Sequence, residues 1–366
     1  MDHNFETYLE IDLSSITHNY NLIKSHLKPN TKIMAVVKSN AYGSDVEQVS
    51  LRLQDIGINC FAVAYAEEAV ALRNFGITKP ILVFYPQNKD FDDLIKFNII
   101  PSVYGFEFLS FIHYKIKSAG IKSFPIHLNI NSGMNRLGFD FKDFPEVESY
   151  LKLNKALSLT GMFSHFSAAG MQEEKAFSYQ QIDKLKAALA FFDNYKAEGF
   201  ISHLSNSSGL INFLEADMDM IRIGIALYGY GKESSSSQLT PMSTLKTKIL
   251  QMRWLEVGES VGYDRKFKAE KKTKVATIPL GYADGISRIF GNYNAKVKIN
   301  GHLVPIIGNV CMDTIMLDVT DVDCKVRDEV IIFGKTHPIT EFDFKKLSIP
   351  YEMMCRIPKR IPRVFV

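Results

Sequence analysis

The chain of 366 residues is longer than a single hydrophobic core usually serves, so one large domain and a smaller one are expected. Its 46% hydrophobic and 23% charged residues are ordinary for a globular protein, and 43 scattered basic residues against 40 acidic leave a net charge of only +3. That balance argues against a nucleic-acid footprint, and the lack of any apolar run near the ~18 residues that span a bilayer argues against a membrane partner.

The start, "MDHNFETYLEID", carries no basic-then-apolar signal, and Cys60, Cys311, Cys324 and Cys355 lack metal-ligand spacing. A reducing cytoplasm is the expected setting. "TYLEIDL" alternates like a strand. Next comes "KIMAVV", whose continuous apolar run predicts a strand buried on both faces, with Lys38 where it leaves the core. The same format then recurs in "CFAVAY", "PILVFY", "IIPSVY", "FPIHLNI", "LTGMFSH", "FISHLSNS" and "MIRIGIALYG". Amphipathic stretches lie between them, among them "VEQVSLRLQDIG", "AEEAVALRNFG", "FEFLSFIHYKIKSAG" and "EEKAFSYQQIDKLKAALAFFDNY", several with glycine at the expected stop. Eight such units predict an α/β fold, a closed (β/α)8 barrel of the TIM type.

The pattern changes at "GKESSSSQ", residues 231–238, a candidate linker. Short β-like runs follow, such as "KVATIPLG", "AKVKING", "TIMLDV" and "DEVIIFG", separated by Gly, Asn and Asp turns. The expected division is a barrel over 10–236 and a mainly β domain over 237–366, joined by an N-terminal strand within 1–9. The basic clusters "KAEKK" and "RIPKRIPR" are expected on solvated faces or strand edges.

Barrel enzymes hold their chemistry at the C-terminal ends of the strands. Those ends deliver Lys38 with Tyr42, then Tyr65, Tyr85 and Tyr104, Asn129 with Arg136 downstream, His165, the run Ser205, Asn206 and Ser207, and Arg222 before Gly224. No carboxylate is among them. His127, His165 and His203 come from neighbouring strands, but His127 and His203 are placed early in theirs, so core histidines are expected rather than a metal site. The mouth suits an anionic, phosphate-bearing ligand with a lysine amine ready for a carbonyl. By themselves, Tyr263 after Gly262 also fits an ordinary β-domain aromatic, residues 283–285 an ordinary turn, and Arg222 the partner of a nearby acid.

"AVVKSNAYG" closely resembles the pyridoxal-phosphate lysine motif of the alanine racemase family. "NSGMNRLGF", "GMFSHFS", "HLSNSSG", "IRIGIALYG", "VGYDRKF", "IPLGYADG", "GNVCMD" and "YEMMCRIPKRIPR" follow in that family's order, from about residue 8 to the C-terminus. The resemblance implies a fold-type III enzyme, barrel plus β domain, that binds pyridoxal 5'-phosphate, acts on alanine and works as a head-to-tail homodimer with shared sites. It makes Lys38 the cofactor-bearing lysine and one base. Tyr42, Ser207, Gly224, Ile225 and Tyr351 would hold the phosphate, Arg222 would face the pyridine nitrogen, and His165 would lie near the ring. Tyr263 would be the second base, with Arg136 supporting it and the substrate carboxylate, and Met312 another carboxylate contact.

Removing an α-proton needs an electron sink, and racemisation needs acid and base on opposite faces. A tyrosine with an ordinary pKa near ~10 serves as base only where positive charge favours phenolate. Three departures from the family pattern stand out: Asn129 replaces a lysine that is often carbamylated, "DRK" follows Tyr263 where Gly-Ala is more usual, and "SD" replaces His-Gly after Gly43. Alternatives are a serine or broader amino-acid racemase of this fold, a decarboxylase of this fold, and a non-catalytic cofactor-binding barrel, which would lack the β domain.

Overall fold

The computed structural model describes residues 5–216, 218–231 and 238–366. The serine-rich stretch 232–237, and with it the expected boundary at 236/237, lies outside the described residues.

Strand β1 (Tyr8–Ile11) opens the chain, and Asp12 caps the following helix, Leu13–Ser25, by accepting from the Ser14 amide at 2.8 Å. That helix was not expected from the sequence. Its buried Asn19 explains its place: the side-chain amide donates to the Leu227 and Thr240 carbonyls at 3.0 and 2.9 Å and accepts from the Thr240 amide at 2.8 Å. One side chain thereby joins the segments before and after residues 232–237.

Eight parallel strands then close into a barrel: β2 (Lys32–Val36), β3 (Cys60–Val63), β4 (Ile81–Val83), β5 (Ile100–Val103), β6 (Phe124–Asn129), β7 (Leu157–Phe163), β8 (Lys196–His203) and β9 (Met220–Ile223). The register Met34↔Arg222 seals the last strand to the first. Every residue of β3, β4 and β9 is buried, as expected of strands covered on both faces. Helices Val46–Asp55, Ala66–Asn74, Phe106–Ser118 and Lys175–Phe191 match the amphipathic stretches.

Beyond the barrel the chain forms β10 (Ser243–Lys248), β11 (Gln251–Leu255), β12 (Ser260–Val261), β13 (Phe267–Lys268), β14 (Thr273–Ile278), β15 (Lys296–Ile299), β16 (His302–Ile307), β17 (Ile315–Asp318), β18 (Glu329–Phe333) and β19 (Arg363–Phe365). Nine strands make one sheet in the order β11-β14-β17-β16-β15-β18-β10-β1-β19, while β12 and β13 pair separately. Thus the first and last strands lie side by side, parallel, with Glu10 opposite Val364. Among the described residues no helix is long and apolar enough to cross a membrane.

The C-terminal arginines correct the expectation of solvated charges. Arg363 donates to the carbonyls of Gly43, Ser44, Ile357, Pro358 and Ile361, which clamps the end of the Lys38 loop to the C-terminal segment. Arg360 bridges Asp284 at 2.7 Å and Asp313 at 2.8 Å, so "YADG" is more than an ordinary turn: it is tied to "CMD" through one guanidinium.

Candidate active site

Residues Lys38–Gly43 leave β2 in an unusual conformation. Ser39, Asn40, Ala41 and Tyr42 all have φ between 51° and 56°, a left-handed turn built without glycine. Each such L-residue costs about 1–2 kcal/mol, so the surroundings must enforce it. The Ser39 amide donates to Glu68 Oε1 at 2.6 Å, and the same carboxylate accepts from the Ala64 and Tyr65 amides. Ala41 and Tyr42 are buried, and the Asn40 side chain accepts from the Val46 amide at 3.1 Å. Gly43 closes the turn at φ 77°, where any Cβ would collide with the Met354 carbonyl. Helix Pro350–Cys355 therefore packs directly on the loop that carries Lys38 and delivers Tyr351 to the same cavity.

That cavity brings together Lys38, Tyr42, Arg136, His165, Ser207, Arg222, Gly224, Ile225 and Tyr351, all expected from the sequence, with Asn129 beside them. Among the described residues no carboxylate lines it. Glu68 stands behind the wall, bonded to the backbone. Burial, reinforced by the Arg136 charge, holds the Lys38 ammonium below its ordinary pKa, which favours the neutral amine a nucleophile or base requires.

The floor is a chain of rings and guanidinium. Arg222, 3% exposed, donates to His203 Nδ1 at 2.7 Å, to His165 Nδ1 at 2.9 Å, and to the carbonyls of Ser164, His203 and Leu204. Among the described residues it pairs with no acid. Because a guanidinium only donates, both histidines must accept at Nδ1 and carry hydrogen on Nε2. His203 then donates from Nε2 to His127 Nδ1 at 3.0 Å. Burial, then the Arg222 charge, pushes His127 and His165 down to about 3 and His203 well below its ordinary value, so all three are neutral. Arg222 is pushed to about 9, chiefly by burial and next by Arg136, and stays charged at neutral pH. His203 is the last residue of β8, not an early one as the sequence suggested, because β8 begins at Lys196.

Along the opposite wall the Tyr42 ring lies 4.6 Å from that of Tyr228 and 5.9 Å from that of Tyr351, and a Cβ on Gly224 would collide with the Tyr42 hydroxyl. Ser207 Oγ accepts from the Ala226 amide at 3.4 Å. Two hydroxyls, a serine and a glycine-bared backbone make a cradle of donors without opposing acid. Together with a lysine whose pKa burial lowers and a donor-only arginine, this set fits the phosphate, aldehyde and ring nitrogen of pyridoxal phosphate.

Arg136 sits on a loop folded by Asn131, which accepts from the Gly133 and Asn135 amides and donates to Asn135 and Asp140. Gly138, at φ 112°, has backbone where a Cβ would be. Behind it, Gln181 donates to the His165 carbonyl at 3.0 Å and to Ser132, and accepts from the Ser167 amide. Glu68, Asn131 and Gln181 were not anticipated. Only Glu68 left a signal, an acid in the first turn of a helix after a strand.

Tyr263 and Met312 do not reach this cavity. They lie on the β domain, 70% and 53% exposed.

Family models described as the alanine racemase N-terminal and C-terminal domains match residues 11–232 and 242–365. The chain belongs to the alanine racemase family. "Alanine racemase 2" of Caldanaerobacter subterraneus subsp. tengcongensis is 35% identical over 98% of this chain and 95% of its own. Alanine racemase of Clostridium difficile superposes with a TM-score of 0.91 at 35% identity, over 100% of this chain and 97% of that one. Alanine racemase from Bartonella henselae, solved with covalently bound pyridoxal phosphate, gives a TM-score of 0.89 at 28% identity over 99% and 100% of the two chains. The family is one of isomerases, and the superposed alanine racemases share this chain's fold along its whole length.

Proposed function

We propose that this chain binds pyridoxal 5'-phosphate and interconverts L- and D-alanine with two bases, supplying D-alanine for peptidoglycan from the cytoplasm as a homodimer with shared sites. The observation that carries the reading is the meeting of a Lys38 amine disposed to be neutral with the Tyr42, Ser207, Gly224, Ile225 and Tyr351 cradle and the Arg222 floor in one cavity. When bound, the cofactor supplies the electron sink for the α-carbanion.

The chain's own residues do the rest. Lys38 anchors the cofactor and moves a proton at Nζ on one face. Arg222, whose two terminal nitrogens are held by five acceptors, would offer its remaining N–H, not a carboxylate, to the pyridine nitrogen, which would disfavour protonation there and limit competing chemistry. Arg136 and Met312 hold the substrate carboxylate, and Tyr263 moves the proton on the other face at its hydroxyl. Since Tyr263 and Met312 stand exposed on the β domain with Tyr282 beside Met312, a second copy of the chain is the natural recipient. Asn129 takes the place of the family's carbamylated lysine and offers Arg136 an amide.

Racemisation assayed over a panel of amino acids, with the absorbance spectrum before and after borohydride, tests the reading. Alanine should be turned over fastest. Faster turnover of serine would replace the substrate assignment, and cofactor binding without any α-proton exchange would replace the enzyme assignment.

A further inference from the structure

Tyr263 stands among residues on backbone that glycine adopts easily, and two of the three are not glycine. Gly262, Asp264 and Arg265 have φ of 69°, 60° and 48°, three left-handed residues around one exposed tyrosine. Asp and Asn tolerate this region better than other L-residues, but an arginine does not choose it. The loop is fixed from outside. Asn309, 8% exposed, donates from Nδ2 both to the Tyr263 carbonyl at 3.2 Å and to Asp264 Oδ2 at 3.0 Å. Its own Oδ1 accepts from Asn292 Nδ2 at 3.1 Å, which fixes which way the amide points. From below, Met316 fills the space that a Cβ on Gly262 would take. Asn309 also lies in the strand-to-loop passage that leads to Met312, so one amide spans the two loops that the proposed function sends to the neighbouring site.

We propose that Asp264 and Asn309 are positioning residues for Tyr263: the carboxylate-amide clasp holds the left-handed turn and aims the phenol into the site of a second copy. The family's usual glycine after this tyrosine reaches the conformation without help. Asp264 reaches it with a side-chain tether, which adds rigidity where the hydroxyl must meet an α-carbon. This inference rests on Tyr263 being one of the two bases.

The test compares Asp264→Ala, Asp264→Gly, Asp264→Asn and Asn309→Ala with Tyr263→Phe, in the full-length holoenzyme. Solvent-deuterium exchange is read at the α-position of L- and D-alanine separately, and amide hydrogen exchange over residues 260–268 is read in parallel. Tyr263→Phe should lose exchange from the L-form only. Asp264→Ala and Asn309→Ala should lower L-alanine exchange about ten- to a hundredfold, the cost of a misplaced base, while D-alanine exchange persists. Amide exchange over the loop should rise in both. Asp264→Asn, which keeps an acceptor for Asn309 and favours the same backbone, should restore both readouts, and Asp264→Gly should fall between. Asp264→Ala with unchanged L-alanine exchange, or with equal loss for both hands, overturns the positioning role while leaving the base in place. Tyr263→Phe that keeps L-alanine exchange overturns the base reading and this inference with it.

Discussion

The barrel mouth and the loop that carries Tyr263 place functional side chains by opposite means. Lys38 lies on four consecutive left-handed residues enforced by buried neighbours, a carboxylate behind the wall and a helix packed on Gly43. Tyr263 is flanked by left-handed backbone, but its side chain is 70% exposed and the turn is held by Asn309, by Met316 and by a bond from Arg265 Nε to Ser260 at 2.9 Å. The walls of the mouth are built within one chain, whereas the tyrosine loop stands exposed at the surface. Strain enforced from within marks the cavity, and strain left at the surface marks the loop that the proposed function sends to a second copy.

The largest effect that would break this contrast is expected at Lys38. Lys38→Ala should cut racemisation by roughly 10⁴-fold or more, since a base and the cofactor anchor go together. The visible absorbance that borohydride bleaches should vanish with it. A surviving, reducible spectrum would move the anchor elsewhere. Tyr263→Phe should behave differently, losing about 10²–10⁴-fold for one hand of alanine while the spectrum stays unchanged.

A smaller effect tests the cradle. Gly224→Ala places a methyl against the Tyr42 hydroxyl, and an overpacking cost of about 1–3 kcal/mol should weaken cofactor affinity roughly ten- to a hundredfold. Titration of the apoprotein followed by absorbance measures it. Unchanged affinity would mean that the cradle does not hold the phosphate.

A last effect, on stability rather than on activity, belongs to the floor. His127, His165 and His203 are neutral in the fold, with His127 and His165 pushed from 6.5 to about 3, so the unfolded chain binds more protons than the folded one below the ordinary histidine pKa. Their contribution to stability is full above pH 6.5 and is lost as pH falls from there toward 3. Between pH 6.5 and 5, before most carboxylates titrate, the urea midpoint should drop, and Tyr263→Phe should leave the slope untouched. A flat midpoint over that window would contradict neutral, buried histidines.

The sequence made the barrel legible because strands covered on both faces are continuous apolar runs, as "KIMAVV" and "CFAVAY" show. It also named the residues that line the cavity, through ordered motifs. Backbone conformation was not legible: nothing in Ser39, Asn40, Ala41 and Tyr42 announces a left-handed turn, because it is held by tertiary partners, among them Glu68 and helix Pro350–Cys355, which packs on Gly43 from over 300 residues away. His203 was misplaced for a similar reason, since β8 starts four residues before its apolar run, at Lys196. Arg363 read as surface charge because its partners are backbone carbonyls, which leave no mark in composition.

The central claim is that each site takes Lys38 from one chain and Tyr263 from another. Inactive Lys38→Ala chains mixed with inactive Tyr263→Ala chains test it most directly, because a mixed dimer then holds one site with both bases intact. The account predicts that racemase activity returns on mixing and rises with the fraction of mixed dimers. Demonstrated subunit exchange without any recovery of activity would contradict it.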